Sequence, residues 1–173
     1  MNIAYTIAPG RGDTDLLLFG VAEALMADGF RPSGSVQINT EMPEGGICDM
    51  DVRVLPDGPI IRISQTLGRE ARGCRLNPEA LENSVVMVQD TLSKGADCLI
   101  VNKFGKHEAD GRGFRPVIAE ALEKGIPVLV GLNRMNAEQF HAFTDGMAVE
   151  VAPDAEAILA WLTPLVTPAP EAV

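Results

Sequence analysis

Two uninterrupted apolar runs, "DCLIVN" at 97–102 and "IPVLVGL" at 126–132, restrict this chain more than any other feature. A strand with one wet face alternates apolar and polar residues, whereas a run that is apolar throughout must be covered on both faces. Such strands belong to the middle of a parallel sheet, and parallel neighbours need a crossover of about a dozen residues or more. Helical patterns of that length flank the runs. The chain therefore reads as an α/β protein, a three-layer, mainly parallel sheet with helices on either side.

The remaining segments fit that frame. "NIAYTI" at 2–7 predicts the first strand, residues 14–28 its crossover helix ending at Gly29, and "GSVQIN" at 34–39 a second strand. "DVRVLPDGPIIRIS" has two alternating runs around a Pro-Asp-Gly turn, the pattern of an inserted β-hairpin. A helix from Pro78 to Lys94 has Asn77 as N-cap and proline at its first position. Residues 112–124 predict another crossover helix, "NAEQFHAFTDG" a short helix and "AVEV" a late strand. "DAEAILAWLTPL" predicts a closing helix with Trp161 on its packing face. Residues 1–165 then form one domain with a real core, and the Pro/Ala-rich 166–173 a frayed tail.

Composition narrows the function classes. A net charge of −10 argues against non-specific binding to nucleic acid or to an anionic membrane. No apolar run approaches the roughly 20 residues that span a bilayer, and no basic n-region precedes an apolar stretch, so a cytoplasmic protein is expected. Cys48, Cys74 and Cys98 form no CxxC pair, so neither a zinc knuckle nor a disulfide framework is indicated. Cys98 reads as a core filler, whereas Cys48 and Cys74 lie in polar stretches where a ligand or soft metal could meet them. The basic residues are clustered, with ten of fourteen between Arg53 and Arg115. Arg62, Arg69, Arg72 and Arg75 form one glycine-punctuated group; Lys103, Lys106, Arg112 and Arg115 form another. Such clusters in an acidic chain point to a local anion site.

Ligands of open parallel sheets sit beyond the carboxyl ends of the strands. Attention therefore falls on "APGRGDT" after the first strand, "NKFGKHEADGRG" after the 98–102 strand and "NRMN" after the 127–132 strand. The first is a strand–glycine turn–helix, the arrangement whose backbone N–H groups face an anion. Against the phosphate-loop pattern G-x-x-x-x-G-K-[ST], Gly12 and Thr14 match, but Ile7 replaces the first glycine and Asp13 the lysine. An Asp for Lys exchange turns attraction to phosphate into repulsion, about 4 kcal/mol per pair at 4 Å and an effective dielectric of 20. Arg11 or the basic clusters would have to supply the charge, or Mg²⁺ held by Asp13 and Thr14 would invert it. The competing structural reading is a plain turn built on Gly10 and Gly12, with Asp13 capping the helix.

After the 98–102 strand a nucleoside triphosphatase needs an acid to hold Mg²⁺. Asn102 and Lys103 stand there instead, leaving Glu108 as the weak candidate base. His107 and His141 have no partner at telling spacing. In "CDMD", period-two spacing puts Asp49 and Asp51 on one face beside Cys48, a weak candidate metal set that also reads as a polar turn.

The stretches "CDMDVRVLPDGPIIRISQTLGREARGCRLNPEALE", "GADCLIVNKFGKHEADGRGFR" and "GIPVLVGLN" closely resemble a bacterial family of unknown function. Its members are often encoded beside molybdenum-transport genes, and the similarity covers about residues 2 to 160. That family looks like a distant relative of the small P-loop nucleoside-triphosphatases. Their second strand-end motif reads D-E-x-G-K-x-E; Asn102-Lys103-Phe104-Gly105-Lys106-His107-Glu108 takes its place, matching at Gly105, Lys106 and Glu108. The resemblance implies a P-loop NTPase-like sheet with a pocket beyond Gly10–Thr14 and Asn102–Glu108.

Three functions are compatible with these residues. The first is a nucleotide- or phosphate-binding protein with a degenerate P-loop, in which binding prevails over hydrolysis and Mg²⁺ accompanies the nucleotide. Gly10, Gly12 and Thr14 would donate hydrogen bonds there, and Arg11, Lys103, Lys106, Arg62, Arg72, Arg75, Arg112 and Arg115 would supply charge. The second is a non-enzymatic binder of molybdate or tungstate in contact with molybdate-transport components, suited to many fixed donors and no general base. The third is a protein-interaction adaptor with a vestigial site.

Overall fold

The computed structural model describes residues 1–40, 49–65 and 75–166. Along the chain run β1 (Ile3–Thr6), α1 (Asp13–Ala27), β2 (Pro32–Thr40), β3 (Asp49–Leu55), β4 (Ile60–Arg62) and α2 (Pro78–Ser93). They are followed by β5 (Cys98–Phe104), α3 (Lys106–Ala109), α4 (Arg115–Glu123), β6 (Val128–Leu132), α5 (Ala137–Phe143), β7 (Val149–Glu150) and α6 (Ala155–Leu162). The strands form one sheet in the order β4-β3-β2-β5-β6-β1-β7. β2, β5, β6, β1 and β7 are mutually parallel, and the β3–β4 hairpin extends the sheet antiparallel beyond β2. The sequence-derived α/β class, its mainly parallel sheet and its inserted hairpin are all present.

Strand parity explains the three layers. Along β5, Leu99 and Val101 point into a core closed by Val85 and Val88 of α2, Val117 and Ile118 of α4 and Phe140 of α5. Cys98 and Ile100 point the other way, onto Leu18, Val21 and Leu25 of α1 and Ile158 and Leu162 of α6. Burial pushes the Cys98 thiol up to about 12, with the nearby Asp97 charge adding to it, in keeping with its expected role as core filler. Trp161 packs against the same core, partly buried. Val166, assigned to the tail from its composition, is buried there too; residues 167–173 lie outside the described residues.

The stretch after the apolar run of β5 differs from the expectation. The strand continues to Phe104, the one-turn helix α3 follows, and α4 begins at Arg115 instead of 112. Glu108 is the cause. It is buried, its Oε2 accepts the Gly105 N–H at 2.9 Å, and its Oε1 accepts the Phe114 N–H at 3.2 Å. One carboxylate thereby folds residues 105–114 into a closed turn, satisfying backbone donors that would otherwise be buried unpaired. Asn77 caps α2 as the sequence indicates, its side chain accepting the Ala80 N–H at 3.2 Å.

Candidate functional site

The loops after β1, β5 and β6 meet at the carboxyl edge of the sheet. β1 lies beside β6 there, although the chain has crossed to β2 and back between them. A cleft of about 560 Å³ opens between these loops, within the range of small-molecule sites. The β1–α1 loop supplies Pro9, Gly10, Arg11, Gly12, Thr14 and Asp15; β5 supplies Asn102 and Lys103; the β6 end supplies Gly131, Asn133 and Arg134.

The first loop is curled by its own hydrogen bonds. Thr14 Oγ1 accepts the Ala8 N–H at 3.1 Å, and Gly12 precedes α1 at φ 83°, a left-handed conformation that favours glycine. Asp13 is exposed at the first helical position and makes no capping bond, so the cap expected of it is absent. Its carboxylate lies back over Gly10, where a Cβ would collide with it. At the other wall, a Cβ on Gly131 would run into the Asn102 carbonyl oxygen and Leu18, so glycine is what lets β6 close on β5.

Beneath this loop lies a polar network absent from the sequence reading. Asn102 shares the strand parity of Cys98 and Ile100, so its side chain emerges on the α1 face, 4% exposed. Its Oδ1 accepts the Gln37 backbone N–H at 2.9 Å. A backbone N–H can only donate, which fixes the amide orientation and leaves Nδ2 to donate to Asp15 Oδ1 at 2.8 Å. Gln37 Nε2 donates to Asp15 Oδ2 at 3.3 Å. The Asp15 carboxylate, on the first turn of α1, is thus held at both oxygens by amide donors, and the neutral Asn102 stands at the strand end. Among the described residues no group of three His, Cys, Asp or Glu side chains could hold a metal ion.

The candidates named from sequence divide clearly. Gly10, Arg11, Gly12, Thr14 and Lys103 converge on the cleft; Asp13 stands at its rim outside the lining. Arg62 and Arg75 are spent on the hairpin. Arg62 bonds Asp49 and Asp51, each at 2.9 Å, and Arg75 bonds Asp49 at 3.2 Å. Asp49 and Asp51 do share a face, but it is occupied by these guanidinium groups. The two carboxylates raise the Arg62 pKa, chiefly through the hydrogen bond and charge of Asp51. Arg115 lies over the Phe143 ring, 4.7 Å from its centroid. Arg112 lines a separate groove of about 470 Å³ with His107, which is bonded to Glu82 at 2.7 Å. Lys106 is exposed and outside the cleft lining, and Glu108 has both oxygens committed to backbone donors. Cys48, Arg72 and Cys74 lie outside the described residues. Asp15 and Gln37 are not among the residues expected from sequence, and Arg134 enters there only as part of the "NRMN" segment after the 127–132 strand.

Residues 3–161 match a family described as "Protein of unknown function (DUF2478)". The chain belongs to that family. It is also 35% identical over 160 residues to the Molybdenum import ATP-binding protein ModC 2 of Bradyrhizobium diazoefficiens. That alignment takes in 92% of this chain and 18% of the relative, so this DUF2478 chain spans less than a fifth of the protein it matches. Among solved structures, THEP1 from Aquifex aeolicus is similar with a TM-score of 0.65 and 18% identity, over 94% of this chain and 99% of that one. A human cancer-related nucleoside triphosphatase is similar with a TM-score of 0.57 and 18% identity, over 87% of each chain. The fold is that of the small P-loop nucleoside-triphosphatases. No helix among the described residues is long and apolar enough to cross a membrane.

Proposed function

We propose that the cleft binds a small ligand through a phosphate-type oxyanion, with a nucleotide as its first candidate, and that it does not hydrolyse what it binds. The charge of the cleft carries this reading. Arg11 of the β1–α1 loop, Lys103 at the end of β5 and Arg134 after β6 line the same opening, opposed among the lining residues by Asp15 alone. The start of the 15-residue helix α1 adds its dipole. Turnover needs more: a lysine on the phosphates and an acid for the metal ion. Asp13 and Asn102 occupy those two positions.

A second reading, molybdate or tungstate as the ligand, is favoured by one observation: the relative that contains a segment like this chain is a molybdenum import protein. Contact with such transport components is part of that reading.

Thermal unfolding with ATP, ADP, phosphate and molybdate separates these readings. A ligand at 100 times its Kd adds about 2.7 kcal/mol, raising the midpoint by roughly 5–10 °C in a domain of this size. A nucleotide shift without phosphate release supports the first reading and a shift with molybdate alone the second. No shift with any of them overturns both. Arg134→Ala should lose the shift and Arg115→Ala keep it, because only Arg134 faces the cleft.

A further inference from the structure

We infer that the cleft takes its anion without a divalent cation, and that Asn102, by clamping Asp15, sets this preference. The inference rests on the anion-cleft reading above and names the form in which the ligand enters.

A divalent ion entering the cleft would meet no uncommitted carboxylate in its lining. Mg²⁺ in a nucleotide site takes oxygen ligands at close range, usually one or two carboxylates beside the phosphates and waters. Of the two carboxylates near the cleft, Asp13 stands exposed at the rim outside the lining, and Asp15 lines it with each oxygen already facing an amide N–H₂, from Asn102 at 2.8 Å and from Gln37 at 3.3 Å. The Asn102 amide cannot turn its oxygen toward an incoming ion without breaking its bond to the Gln37 backbone N–H. Asn102 is 4% exposed, so the two groups would be left unpaired inside the protein rather than passed to water. The cleft therefore points a partial positive charge at the place where a cation would sit.

The three cations of the lining act in the same direction. Arg11, Lys103 and Arg134 already supply the positive charge that Mg²⁺ brings to a nucleotide. With Asp15 offset by its amide partners, they suit an oxyanion head of about two negative charges, whether free phosphate or molybdate or the terminal group of a nucleoside diphosphate. A cation-loaded ligand gains less from this set, because its charge is partly spent.

Calorimetric titration of the full chain with ADP, inorganic phosphate and molybdate, each in Mg²⁺ and in EDTA, tests this. At least one probe should bind with the same affinity, within about threefold, in both buffers. ADP binding that appears or strengthens by more than about tenfold only with Mg²⁺ overturns the inference and leaves the anion-cleft reading standing. Absence of binding by all three in both buffers overturns that reading and the inference with it. Asn102→Asp tests the residue: its carboxylate would face Asp15 with no donor between them, and only a cation or a proton can bridge such a pair. If folded by circular dichroism, Asn102→Asp should bind Mg²⁺ alone and lose about tenfold in anion affinity in EDTA. Mg²⁺-free affinity unchanged in Asn102→Asp overturns the role of Asn102. Gln37→Ala, which removes the second clamp and keeps the backbone N–H, should give the same change in smaller measure.

Discussion

Residue 13 has two effects that oppose each other. A carboxylate on the first turn of α1 stabilises the helix through its dipole, by about 0.3–1 kcal/mol, and the same charge repels an incoming anion. Asp13→Lys should therefore tighten phosphate or ADP binding by about tenfold, a figure discounted for the exposure of the site, and lower the melting temperature slightly. Titration calorimetry and a thermal melt of one preparation measure both. Tyr5 gives a second prediction at this scale. The chain has one tyrosine, and its phenol pKa is raised first by burial and then by the hydrogen bond to Glu150 at 3.2 Å and the charge of that residue. The folded state thus retains the phenol proton where the unfolded chain releases it. The contribution is complete below the ordinary value of 10.0 and is lost as pH rises through the higher folded value. Absorbance at the tyrosinate band should titrate above 10 in the native protein and return to about 10 in denaturant. Of these residue roles the sequence shows only Asp13; the Tyr5–Glu150 pair joins positions 145 apart in the chain.

Among the elements, α2 is legible in the sequence and α3 is not. The Asn77-Pro78 start of α2 is local chemistry, and Asn77→Ala should cost about 1 kcal/mol in a urea unfolding curve. The turn at 105–114 exists because Glu108 reaches two backbone donors, one of them six residues on. Glu108→Ala leaves both N–H groups without that acceptor and should cost about 2–4 kcal/mol, measured by the same curve. A smaller loss, under about 0.5 kcal/mol, would mean that water replaces the carboxylate. The hairpin carries a related lesson. Arg62 and Arg75 read as anion-binding residues because charge in a sequence shows no partner, while Asp49 and Asp51 read as a metal pair for the same reason. Antiparallel register sets Asp51 opposite Arg62, and the two candidate sites neutralise each other.

In the whole molecule, the proposed site depends on where β1, β5 and β6 end. The parallel sheet carries Arg11, Lys103 and Arg134 to one edge although they span most of the chain, and the same order keeps Arg62 and Arg75 on the hairpin away from it. The sequence by itself determined the α/β class, the two doubly covered strands, the hairpin and the glycine turn before α1. Each follows from local hydrophobic period or turn chemistry, which neighbouring residues settle among themselves. It also determined that the lysine and the strand-end acid of a P-loop enzyme are missing, since those are identities at fixed positions. Tertiary structure decided which charges are free to meet a ligand. Side-chain pairing depends on strand register and crossing order, which bring Asn102 to Asp15 across 87 positions and Gln37 to the same carboxylate across 22. Those contacts are set by packing both faces of the sheet at once, and no local pattern in the chain encodes them.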